Sequence, residues 1–377
     1  MSAAASEAVV PNGRNHVVVG VLPVLAPQGC PNRNPGLWAV APLGQDNRSV
    51  KVCQYPNLLS RCFKVRNKMN RLVLLLTALF FFQLSGVAQQ QTKSIAERLG
   101  YPADAKLLIV HADDLGVAHS VNDASIKAFA SGLVTSGSIM MPCSWVPEIA
   151  AYARANPTAD LGLHLTLTSE WKNYRWGPLL PGLSSLLDEN GYLYLTEHEA
   201  SSHAKVDEVE KEIRAQIERA HKLGIQPTHL DSHMGTLYQT KELFELLVRI
   251  GRENKLPIRV SKEQFTGVAF LPTLMRPEEV MLDHIVSIEP SVTSNAWGKY
   301  YSDAIKNMQP GVTEFVVHIA HDDNEMKAIA IDHPNWGSAW RERDFQFLTS
   351  SEFRKVLADN NVKLIFWRDL RKALYGE

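Results

Sequence analysis

The sequence predicts a parallel α/β domain over residues 103–377. Three observations carry this. Strand-like and helix-like segments alternate along this region, the pattern of βαβ units. Several strand-like runs end in His or Asp, as expected where the C-terminal ends of parallel strands share one face. Glu208 to Lys222 sets Val209, Ile213, Ile217 and Ala220 at helical spacing among charges, with Gly224 as a stop.

The elements follow in order. Residues 1–68 hold seven prolines, many Asn and Gly, and no sustained periodicity; they read as a mis-assigned upstream extension or a tail. Lys68-Met69-Asn70-Arg71 then leads into the apolar run Leu72–Leu84 and the small-residue site Ser85-Gly-Val-Ala88, the anatomy of a secretory signal peptide. Met69 is then the start, and cleavage after Ala88 releases a periplasmic or secreted chain. A membrane anchor over 72–88 is the alternative, although the run is short of the roughly 20 residues a span needs. Residues 89–102 read as a linker. Strands are expected at 106–112, 134–141, 161–168, 227–231, 257–261, 314–320 and 363–367. Helices are expected at about 120–131, 145–156, 204–223, 239–254, 300–308 and 350–360. Residues 169–203, rich in Trp and Tyr among Gly and Pro, and residues 262–299 interrupt the alternation as long irregular segments. Periodicity alone leaves an open doubly wound sheet and a closed barrel both standing.

With 45% hydrophobic residues, the chain can bury a large core. Residues 1–68 carry a net charge of +6 and the remainder −7. An acidic body without a basic run excludes nucleic acid as the expected partner. Cys143 is the one cysteine of the body, in the apolar stretch Ser138-Ile-Met-Met-Pro-Cys143. It makes no internal disulfide there and reads as a packed core thiol.

The chemistry gathers at strand ends. Asp113 and Asp114 close strand one in His111-Ala-Asp-Asp-Leu-Gly116, where Gly116 permits a turn. The plainer reading of such a pair is an Asx-turn and a helix cap. His164 lies in strand three, His229, Asp231 and His233 at the end of strand four, and His318 and His321 at the end of strand six. His229, Asp231 and His233 have period two and face one side of an extended segment. Burying three such groups needs something charged beside them: a divalent metal, or a buried ion-pair network. One carboxylate and two imidazoles suit Zn²⁺ or another divalent ion, which makes water nucleophilic near neutral pH. A second carboxylate can act as general base and a histidine as general acid.

His111-Ala-Asp-Asp-Leu-Gly116, Asn122, Gly132-Leu-Val-Thr-Ser136, Gly162-Leu-His-Leu-Thr166, Pro227-Thr-His-Leu-Asp-Ser-His233 and Leu348-Thr-Ser350 together resemble, in order, the YdjC-like (ChbG) carbohydrate deacetylases of the polysaccharide deacetylase-like superfamily. The resemblance runs from about 106 to 370. It implies a distorted (β/α) barrel of about seven parallel strands and hydrolysis of N-acetyl groups on amino sugars or chito-oligosaccharides. One divalent metal ion is implied, Zn²⁺ or Mg²⁺, with Mn²⁺ or Co²⁺ as further candidates. By motif, Asp114, His164 and His233 resemble the metal ligands and Asp113 the catalytic base. His318 resembles an acid that stabilises the oxyanion, while His229 and Asp231 match supporting positions behind the ligands. The chain departs from the family at His111 (usually Asn), Leu115 (usually Phe), His233-Met-Gly (one imidazole where the family has a run) and Ile319 (usually Pro).

Trp171, Tyr174 and Trp176 of the 169–203 segment suit an apolar sugar face, or else pack the segment on the barrel. Asp332-His-Pro-Asn-Trp-Gly337 has no assignment. Two other function classes remain: a barrel glycosidase using two carboxylates, and a non-catalytic carbohydrate-binding relative.

Overall fold

The computed structural model describes residues 93–376. The extension, the signal sequence and the linker as far as residue 92 lie outside the described residues. No helix among the described residues is long and apolar enough to cross a membrane.

The strands are β1 (Lys106–Leu115), β2 (Ser136–Ile139), β3 (Leu161–Leu165), β4 (Leu230–Ser232), β5 (His284–Ser287), β6 (Gly311–Val317) and β7 (Lys363–Leu364). Their order is β4-β3-β2-β1-β6-β5, with β7 beside the start of β1. Every pairing is parallel. Isolated parallel bridges from Leu230 to Ile258 and from Ser261 to Leu282 carry the curl from β4 through 257–261 toward β5. With helices packed outside, this is a distorted (β/α) barrel.

Two departures from the expected elements have physical reasons. The run at 257–261 pairs through single bridges, so it lines the barrel without forming a ladder of its own. The sixth partner is instead β5, inside the stretch expected to be irregular; four half-buried residues are too few for periodicity to reveal. The helix Ser338–Leu348 is also absent from the elements expected of the sequence. Its inward residues include Arg341 and Asp344 beside Trp340, Phe347 and Leu348, so no apolar stripe marks it.

β1 is longer than expected and carries the central device of the site. Its register on β2 runs His111 to Ser136 and Ala112 to Gly137, then jumps to Leu115 with Ile139. One extra residue on β1 makes a β-bulge. Asp114 takes φ 70°, a left-handed conformation costly for a non-glycine residue. Strand alternation would send neighbouring side chains to opposite faces; the bulge brings both carboxylates to one cavity. Gly116 follows at φ 88°, where a Cβ would sit 2.8 Å from Val146. Its N–H donates to Asn122 Oδ1 at 2.7 Å, which locks the turn to the next helix.

The helix Val206–Lys222 buries Val209, Ile213, Ile217 and Ala220 as expected. It also buries Glu208 and Glu212, which accept backbone N–H groups of Ser185, Leu179 and Leu180. Gln216 bonds both backbone groups of Thr166. The 169–203 segment is therefore pinned to the barrel by this helix. Ser350 caps the helix Ser351–Asp359 through the N–H of Phe353 at 3.1 Å. Cys143 is fully packed, and burial pushes its thiol well above its ordinary pKa.

Gly162 in β3 is required by a neighbour: a Cβ there would lie 2.4 Å from the ring of His229, itself stacked on Trp367 at 4.6 Å. Gly162→Ala should cost about 1–3 kcal/mol through overpacking, read as a lowered midpoint in urea unfolding. An unchanged midpoint would mean that the ring can move aside.

Candidate active site

A cavity of about 630 Å³ opens at the C-terminal ends of the strands, lined in part by Asp113, Asp114, His164, His233, Arg259 and His318. At its floor, Asp114 Oδ1 is buried without a hydrogen-bond partner. His164 Nε2 and His233 Nδ1 each lie 3.5 Å from it. These three donor atoms fall within 4.8 Å of one another, close enough to hold a metal ion. The far nitrogen of each imidazole is held by a carboxylate: His164 Nδ1 by Asp231 at 2.7 Å and His233 Nε2 by Glu170 at 3.0 Å. Metal-binding histidines carry this kind of outer partner, which fixes tautomer and ring orientation. Arg341 Nη1 donates to Asp114 Oδ2 at 2.8 Å, leaving Oδ1 as the open atom.

Sheet register builds the layer beneath. His164 stands opposite Asp231 across β3 and β4, and His111 opposite Ser136 across β1 and β2. Arg259 Nη1 lies 3.0 Å from Asp113 Oδ1 and 3.1 Å from Asp231 Oδ2. His111 Nε2 lies 2.9 Å from Asp113 Oδ1 and 3.3 Å from Asp231 Oδ2. The Ser138 hydroxyl donates to both carboxylates, at 3.3 Å and 2.9 Å. Burial opposes ionisation of Asp113, but Arg259 and then His164 outweigh it and hold the carboxyl well below the usual range. Asp114 is likewise held low against burial by Arg341 and His233. Burial also opposes charge on His111, yet its bonds to Asp113 and Asp231 carry it up to about 10.

Two other groupings, His111–His229–Asp231 and Asp113–His164–Asp231, have comparable donor spacing. In both, Asp231 is already bonded to Ser138 and lies against the Arg259 cation. The metal and ion-pair readings of the strand-four triplet thus divide along its length. His233 joins the open donor set, and Asp231 belongs to the network behind it. His229 lies deeper, against Trp367 and edge-on to His111 at 4.9 Å; burial pushes it well below its ordinary pKa, so it stays neutral.

His318 lines the cavity, with Trp340 beside its ring at 5.4 Å. Burial, reinforced by Arg341, lowers it to about 4 despite the nearby Asp114 carboxylate. His321 points elsewhere, to Asp123 at 2.8 Å. Of the three aromatic residues expected to meet substrate, Trp171 lines the cavity. Tyr174 and Trp176 do not. Their polar atoms are bound to the backbone carbonyls of Val117 and Thr168, and their rings pack with Trp171, so they hold the segment in place.

Sequence reasoning missed Glu170, Arg259 and Arg341. Arg259 had a signal, as the lone cation of the apolar run Pro257-Ile-Arg-Val260. Arg341 had none, and Glu170 stood in a segment read only for its aromatic residues.

The profile of the family described as "YdjC-like protein" matches residues 107–359. A "Carbohydrate deacetylase" of Thermus thermophilus is 35% identical over 286 residues, covering 74% of this chain and 99% of the relative. A "Chitooligosaccharide deacetylase" of Yersinia enterocolitica is 32% identical over 162 residues, covering 42% of this chain and 61% of the relative. Among solved structures, an Enterococcus faecalis V583 protein named for cellobiose-phosphate cleavage matches with a TM-score of 0.58 at 26% identity, over 71% of this chain and 99% of that one. With the family profile spanning most of the barrel and a full-length relative above one-third identity, this chain belongs to the YdjC-like protein family.

Proposed function

We propose that the chain is a metal-dependent carbohydrate deacetylase that hydrolyses N-acetyl groups on amino sugars or chito-oligosaccharide-type carbohydrates. The observation that carries this reading is the buried Oδ1 of Asp114, which has no hydrogen-bond partner and is faced at 3.5 Å by two imidazoles whose other nitrogens are held by carboxylates. The deacetylase names of the relatives support the substrate class. Asp114, His164 and His233 would hold a divalent ion, Zn²⁺ or Mg²⁺, with Mn²⁺ and Co²⁺ also suited to these ligands. Such an ion supplies Lewis acidity that activates water and polarises the amide carbonyl.

The chain's own residues account for the proton and charge movements. Asp113 is kept ionised by Arg259, which donates to both of its oxygens, and would accept the proton that water loses on attack. Its Oδ2 lies 3.8 Å from His164 Nε2, beside the donor set. His318, neutral at pH 7, offers one imidazole N–H to the oxygen that gains charge as the amide carbon becomes tetrahedral. Asp113 then returns its proton to the departing amine, leaving acetate and the free amino sugar. A two-carboxylate glycosidase needs separated carboxyl groups with distinct roles. Asp113 and Asp114 are chain neighbours, each bonded to its own arginine, which favours the hydrolytic metal site. Export directed by residues 69–88 belongs to the same proposal. N-terminal sequencing of the native protein should find Gln89 first; an intact chain retaining 69–88 would overturn it.

Acetate release from N-acetylated chito-oligosaccharides, lost on chelation and restored by metal, tests the reading. A chelator-resistant, metal-free active enzyme would overturn it. Asp113→Asn should retain metal and lose about 10²–10⁴ in kcat, whereas Asp114→Asn should lose metal and turnover together. Normal turnover in Asp113→Asn would reject that residue as the base.

Proton linkage gives a further test. Although burial opposes its charge, His233 is raised to about 10 by Glu170 and Asp114, so the metal-free site carries a proton there at neutral pH. A metal needs the neutral ring and must displace that proton. Affinity should therefore rise with pH, about tenfold per unit below pH 10 for this one proton. Calorimetry in buffers of different ionisation heat should register its release. Glu170→Gln should weaken metal binding about 10–100-fold and reduce the release. Metal uptake without proton release would exclude this arrangement.

A further inference from the structure

The Asp332–Gly337 stretch takes no part in the chemistry above, yet it is built against the site. The N–H of Lys172 donates to Asp332 Oδ2 at 3.1 Å, and His333 Nε2 bonds the Glu170 carbonyl oxygen at 3.2 Å. The stretch thereby braces the segment that carries Glu170 and Trp171. Its short turn Pro334–Trp336 brings Trp336 to the cavity wall. The Trp336 carbonyl accepts from Arg341 Nε at 3.2 Å, while Nη1 of the same guanidinium holds Asp114. Trp336 is therefore linked to the donor set through a single side chain.

The Trp336 ring is supported on one side. Trp340 meets it at 5.0 Å and 63° and is itself only 2% exposed, whereas Trp336 is 40% exposed. An indole held against Trp340 on one side, yet open on the cavity, offers flat apolar area for contact. A pyranose ring, with an apolar C–H face and a polar rim, is complementary to such a surface. Glu197 and Gln264 also line the cavity; Gln264 Oε1 accepts the Ser261 N–H, which leaves its Nε2 for a hydroxyl group. Its volume of about 630 Å³ lies within the roughly 300–1,000 Å³ of pockets that hold drug-sized ligands, a size that suits two sugar rings.

Building on the deacetylase reading, we propose that Trp336 is the stacking platform for the sugar ring adjacent to the one bearing the reacting acetamido group, and so selects oligosaccharides over monosaccharides. The polar partners of the stretch hold the platform, and the indole face makes the contact.

The test compares N-acetylglucosamine with its β-1,4-linked dimer and trimer, in the metal-loaded wild type, Trp336→Ala and Trp336→Phe. Trp336→Ala should lower the oligosaccharide-to-monosaccharide ratio of kcat/KM about tenfold, the scale of one lost aromatic anchor, mainly through KM. Trp336→Phe, which keeps a flat ring, should recover most of the ratio. Calorimetric binding of the trimer should weaken by a similar factor in Trp336→Ala. An unchanged ratio with acetate still released would overturn the platform and leave the deacetylase reading standing. Trimer binding that depends on Trp336, with no acetate released from any of these sugars, would overturn that reading and leave the platform. Neither binding nor release would remove both.

Discussion

Arg259 stands between Asp113 and Asp231 and compensates charge that the barrel could not otherwise hold. Both carboxylates are buried, and one guanidinium nitrogen lies within about 3 Å of each. Glu314, also fully buried, stands 4.0 Å from its Nε. Unpaired carboxylates in such a setting would take up protons or destabilise the fold. An Asp113 neutralised in that way could not accept a proton, and a protonated Asp231 could not orient His164 as a carboxylate does. The proposed proton transfer and the alignment of His164 therefore depend on the cations around these carboxylates, Arg259 from a segment that is barely a strand among them. His111 gives a second contact to the same two carboxylates, with Ser136 behind it.

The bulge in β1 separates the adjacent aspartates into different tasks. Both reach the cavity, but Asp113 turns toward Arg259 and His111, while Asp114 turns toward Arg341 and the two cavity histidines. The strain of a left-handed aspartate is retained because the register on either side of the bulge fixes it. Backbone geometry, rather than residue type, distinguishes a proposed base from a proposed ligand.

Much of this is legible in the sequence, for reasons that also explain what is not. Strand ends are local features, so the order of residues along the chain suffices to assign Asp113, Asp114, His164 and His233 to one face. The period-two spacing of His229, Asp231 and His233 is equally visible, but spacing does not reveal depth. Only their surroundings separate the open donor from the two residues beneath it. Arg341 lies 227 residues from Asp114 on a helix whose buried face mixes charged with apolar residues, and no local pattern announces it. The aromatic cluster at 171–176 is visible as composition, but composition cannot distinguish a ring that faces a ligand from one whose N–H or hydroxyl is spent on a carbonyl. β5 is too short to show a period, and 257–261 resembles a strand because it has a strand's residues without a full ladder.

The contact between Gly162 and His229 has a consequence for descent as well as for packing. The imidazole occupies the volume that any side chain at 162 would need, and the ring is stacked on Trp367. A larger residue in β3 becomes acceptable only in a lineage that has already reduced the one before β4, so change at 162 should follow change at 229 and not precede it.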